Sequence, residues 1–179
     1  MARFTPEQIK DMEERTTSFG LLRYANEYQR ASVVVKEQDN ASVVPYMLLA
    51  HSLELALKAY LRTRGATLDE LRLLGHSLPD LHREALDRSI GRLWPQAAEL
   101  LPTLELLDAA NHRQGLRYII TGVTHYPDWT AATSLAEGLI AALIEPCLSG
   151  TLGEAAAAMA LRNRGPSNVF PKVVTRVDG

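Results

Sequence analysis

The chain has 179 residues, enough for one domain with a sizeable core. Its 46% hydrophobic and 22% charged residues are the balance of a soluble globular protein. A net charge of −2 excludes a global electrostatic pull toward nucleic acid, and a lone Cys147 excludes an intrachain disulfide and a thiolate metal cluster. Helical signals dominate from the start. Thr5-Pro6-Glu7-Gln8 reads as a capping box with proline at the first helical position, predicting a helix to about Thr17. Gly20 is expected to break or bend it, and a second helix should cover about Leu21 to Glu37. After a turn at Asp39-Asn40, a third helix should run from about Val43 to Arg64, stopped by Gly65. Thr67 and Glu70 form another capping box for a short helix ending near Leu74. In "GHSLPDLHREALD" Gly75 closes that helix, Ser77 caps the next and Asp80 lies in its first turn, where the helix dipole favours negative charge.

A further helix is expected from about Leu93 to Ala110, with a kink or restart at Pro102. Residues 111 to 129 hold two glycines, a proline and several β-branched residues, and read as loop or short extended structure. Helix resumes near Trp129 and should reach about Cys147. "TLGEAAAAMALRNRG" reads as a last helix with Thr151 as cap, Glu154 as its box partner and Gly165 as stop. Residues 166 to 179 read as an arm whose "VFPKVV" is apolar enough to dock on a neighbour. The N-terminus has no apolar signal-peptide core, and Glu145 and Pro146 interrupt the most apolar run. No membrane contact and a cytoplasmic location are the expectations. The fold class is all-α: one helical-bundle domain over 1–165 followed by the arm.

The stretch "HSLELALKAYL" is the most apolar helical segment, yet it carries His51, Glu54 and Lys58. At 100° per residue these three and Arg62 share an arc of about 80°, and apolar residues fill about 240°. A surface helix shows a much narrower apolar stripe, so this helix should be central with one polar seam. Glu54 and Lys58 stand four residues apart in the favourable order and are expected to form a structural pair. His51 and Arg62 are expected to face solvent or a partner subunit.

The segments "YMLLAHSLELALKAYLRTRG", "LGHSLPDLHREA" and "LRYIITGVTHYPDW" occur in that order. Together they resemble the HEPN family, over about residues 21 to 146. The resemblance implies an up-and-down bundle of about five core helices, here with extra terminal helices. It implies a homodimer, often paired with a small nucleotidyltransferase in toxin–antitoxin or defence systems. Some relatives are metal-independent ribonucleases that use an Arg and a His on the last core helices, four to six residues apart. This chain departs from that pattern, because seven residues separate Arg117 from His125 and Tyr118 follows the arginine.

Two functions remain open. One is a module that binds a nucleotide, RNA or a partner protein without strong catalysis. The other is an endoribonuclease in which His125 or His76 is the base and Arg117 clamps phosphate. Candidate ligand contacts are His76, His51, Arg62, Arg113 and Tyr118. Asn111, His112, Arg113 and Arg117 form a small basic cluster followed by Tyr118, Tyr126 and Trp129, a combination that can take a base and a phosphate or simply pack. His82 and His112 are expected on the surface. No histidine pair has helical metal-site spacing, and no phosphate-binding glycine loop is present, so neither metal nor cofactor is expected.

Overall fold

In the computed structural model the described residues are 5–111, 125–165 and 169–170. Their regular structure is helical throughout, with no strand among them. The order is α1 (Pro6–Arg15), α2 (Ser18–Gln38), α3 (Val44–Thr63), α4 (Leu68–Leu74), α5 (Leu78–Asp87) and α6 (Ile90–Leu93). A 3₁₀ helix (Pro95–Leu100), α7 (Leu101–Asn111), α8 (Trp129–Leu152) and α9 (Glu154–Arg164) follow. α3 is the hub: it packs most extensively on α2 and also contacts α8, α5 and α7. Leu49, Leu53, Ala56, Leu57, Ala59 and Leu61 of α3 are fully enclosed. This matches the wide apolar arc of its sequence, since a helix apolar on most sides must be covered on most sides.

Local caps act as their sequences indicate. Thr5 and Thr67 both close capping boxes, and the Ser77 hydroxyl accepts from the Asp80 amide. Gly20 is the first departure. The helix is interrupted at Thr16–Thr17, and Gly20 lies inside α2, where the Thr17 hydroxyl caps its amide at 3.0 Å. A Cβ on Gly20 would sit 3.0 Å from that hydroxyl, so glycine makes room for the cap. The expected helix over 93–110 is split into α6, the 3₁₀ helix and α7. Pro102 occupies the start of α7, where a missing N–H leaves no bond unmade.

α8 runs past Cys147 to Leu152, through Pro146. Burial of Leu139, Leu143, Ile144, Cys147 and Leu148 on both sides of the proline holds the helix together. Despite Glu145 and Pro146, α8 is long and apolar enough by length and composition to cross a membrane, where the sequence reading expects those two residues to interrupt the run. In the bundle it is a core helix against α2 and α3. Thr151 does not cap α9. Its hydroxyl accepts from the Phe19 amide at 3.2 Å and pairs with the Ser18 hydroxyl, so the end of α8 secures the start of α2. α9 starts after Gly153, whose φ of +83° suits glycine, and has no side-chain cap. Val169 is buried and Phe170 stacks on Phe19, so these two residues dock on the chain's own bundle.

Candidate functional site

The polar seam of α3 is centred on Glu54, which is only 7% exposed. Lys58 Nζ lies 2.7 Å from Glu54 Oε1, one helical turn away. His76 Nδ1 reaches the same oxygen at 2.9 Å from the loop between α4 and α5. His51 Nδ1 stands 3.7 Å from Glu54 Oε2, too far for a hydrogen bond but within reach of charge attraction. The 22-residue separation of His76 from Glu54 gives it no local sequence signature.

Several local features place His76. Gly75 has φ +65° and lets the chain leave α4 sharply. Ser77 then caps α5, and the Leu78 amide donates to Asp108 Oδ1 of α7 at 3.0 Å. The loop is therefore tied to α7 on one side and to Glu54 on the other. Asp108 was not singled out from sequence, because a carboxylate that caps a helix from another helix has no fixed spacing to it.

Burial pushes the Glu54 carboxyl up, but His51, Lys58 and His76 outweigh it and hold the carboxyl down at about 2. Glu54 is therefore ionised at neutral pH and can only accept. It follows that the His76 proton sits on Nδ1 and that a neutral ring carries its lone pair on Nε2. The His76 side chain is 71% exposed, so that nitrogen faces water. His51 is less open and meets Tyr28 of α2 edge-on at 4.5 Å. One carboxylate thus faces one ammonium and two imidazoles. The outward imidazole can act as a base, attack an electrophile or contact an anion.

Arg62, expected to face solvent or a partner subunit, turns toward α1 of its own chain. Its guanidinium binds the backbone oxygens of Thr16, Ala66 and Glu13 and pairs with the Glu13 carboxylate at 3.1 Å. The other Glu13 oxygen accepts from the Leu68 amide at 2.7 Å. Arg62 is thus covered by α1 and latches it to the bundle. His82 is also displaced from expectation. It is buried, and its Nε2 donates to the Ala97 carbonyl at 2.7 Å. It shares the inward face of α5 with Leu78, Leu81 and Ala85, a spacing the sequence already displays.

His125 is exposed on the stretch leading into α8. Arg113, Arg117, Tyr118 and His112 fall outside the described residues, so the expected pairing of Arg117 with His125 does too. Tyr126 stacks on Tyr46 at 4.4 Å and Trp129 meets Tyr46 edge-on, with the Lys36 ammonium over the Tyr46 and Trp129 rings. These aromatics therefore join the ends of α2, α3 and α8. No group of three or more metal-ligating side chains occurs among the described residues. In comparisons with known proteins, the chain matches no family model, no curated protein and no solved structure.

Proposed function

We propose that this chain is a HEPN-like binding module whose α3 seam contacts the phosphate of a nucleotide or RNA. The observation that carries the reading is the His76–Glu54 contact: a mostly exposed imidazole held at 2.9 Å by a buried carboxylate. A ring fixed in this way loses little freedom on binding, and the Lys58 ammonium steadies the same Glu54 oxygen that holds it. The reading includes an up-and-down HEPN-like arrangement, a cytoplasmic homodimer and a small nucleotidyltransferase as partner protein. Equilibrium binding of nucleotides and short RNA to wild type and His76→Ala tests the site. Loss of binding in the variant supports it, and unchanged binding counts against it. Light scattering tests the dimer, which requires about twice the 19.8 kDa chain mass.

A second reading is a metal-independent endoribonuclease with Arg117 as phosphate clamp. The same contact favours His76 over His125 as its base, because an imidazole oriented by a carboxylate has a fixed tautomer. Incubation with RNA in the absence of metal tests it. Cleavage that disappears in Arg117→Ala and His76→Ala, with helicity retained by circular dichroism, would replace the binding module with the enzyme.

A further inference from the structure

We propose that His76 is a phosphoryl-acceptor residue, whose outward Nε2 takes a phosphoryl group from a donor of the phosphoramidate class. This goes beyond reversible binding. It is read as a covalent label, so it stands or falls separately from nucleotide affinity at the seam.

An imidazole attacks phosphorus efficiently when it is accessible, unprotonated at the attacking nitrogen and held in one tautomer. His76 combines these properties. Its ring is 71% exposed, and its Nδ1 proton is committed to Glu54 at 2.9 Å, which leaves the lone pair on Nε2. The backbone that carries it is fixed, because the Leu78 amide is tied to Asp108. The other described histidines differ. His82 is buried and spends its Nε2 proton on the Ala97 carbonyl. His51 stands farther from Glu54, with its side chain 34% exposed and set against Tyr28. His125 is exposed but lies on the stretch before α8, away from the Glu54 contacts.

The step balances without any oxidant. The Nε2 lone pair forms a bond to phosphorus, and the donor's P–N bond breaks. Its electron pair leaves with the protonated amine, as ammonia in the simplest donor. The ring keeps its Nδ1 proton and becomes cationic. Glu54 already accepts that proton, so the product charge forms beside a carboxylate placed to receive it. Lys58 donates to the same Glu54 Oε1 atom and holds that carboxylate in place on the Nδ1 side of the ring. Glu54 is a positioning residue in this step, since it touches His76 and not the phosphorus.

The experiment is incubation of the full chain with potassium phosphoramidate. Peptide mass spectrometry maps the label, and phosphorus NMR identifies the modified nitrogen. The expected result is labelling of His76 at Nε2, faster than at the exposed His125, with the fast phase lost in His76→Ala. Glu54→Gln should slow labelling of His76 about tenfold and change its pH–rate profile, because the tautomer is no longer fixed. Glu54→Asp retains the charge but draws it back, and should give a smaller loss in a folded chain. Labelling of His76 no faster than of His125 in the wild type would overturn the proposal. So would a wild-type rate in folded Glu54→Gln. If Glu54→Gln does not fold, a wild-type rate in Glu54→Asp is the corresponding contrary result.

Discussion

His76 Nδ1 lies 2.9 Å from Glu54 Oε1, joining the most exposed group of the seam to its most buried one. That contact crosses from the α4–α5 loop to the central helix. It converts what the sequence displays as three ionisable residues on one helix into a four-residue cluster fed by two parts of the chain.

The first prediction concerns acid. The Glu54 carboxyl is held at about 2 in the folded protein, below its ordinary value of 4.5. Its folded value is lowered, so its stabilisation is fully present above pH 4.5 and is lost as pH falls toward about 2. Linkage puts the loss at about 3 kcal/mol. Urea midpoints should fall across that window in the wild type and fall less in Glu54→Gln.

Lys58 and Glu54 should be coupled. Their side chains are 14% and 10% exposed, so removing one charge leaves the other poorly solvated. Lys58→Leu should destabilise by about 3 kcal/mol, and the double change Glu54→Leu with Lys58→Leu should recover much of that. A double-mutant cycle by chemical denaturation measures the coupling. Additive effects would contradict it.

His82→Ala should be costly despite its distance from the seam. It orphans the Ala97 carbonyl and opens a cavity beside Leu78 and Leu81, a loss of about 2–4 kcal/mol in denaturation. A cost under about 1 kcal/mol would mean that the ring is not part of the core.

Arg62→Ala should release α1 selectively. Met12 packs α1 against the core, and Arg62 ties α1 to α3 through the Glu13 carboxylate and backbone oxygen. Amides of 7–15 should lose about 2 kcal/mol of exchange protection, while those of α3 and α8 change less.

Cys147 should be inert in the native chain. Burial pushes its thiol up to about 12, partly offset by Ser18. A thiol reagent such as Ellman's reagent should react at the rate of global unfolding, with prompt reaction only in denaturant.

Much of the helix plan was legible because its signals are local. Thr5, Thr67 and Ser77 each act on a residue three positions on, and Glu54 reaches Lys58 four positions on. The α3 arc likewise predicts a central helix by counting. What escaped depends on contacts between distant parts of the chain. Arg62 lies in the polar arc, but α1, 49 residues earlier, covers it. Thr151 sits where a capping box would place it, yet its hydroxyl binds the Phe19 amide 132 residues away. His82 was within reach of sequence reasoning, since its positions relative to Leu78, Leu81 and Ala85 mark the buried face. The functional site was half legible. Glu54, Lys58 and His51 share a helix, whereas His76 joins them only through the fold.

The most direct measurement is a nucleotide titration of the chain with nitrogen-15 in its histidines, followed by NMR of the imidazole nitrogens. The binding-module reading predicts saturable shifts at His76 and His51, a His76 ring protonated at Nδ1 before ligand is added, and no comparable shift at buried His82. Absence of any shift at millimolar nucleotide or short RNA, or shifts confined to His125, would contradict it.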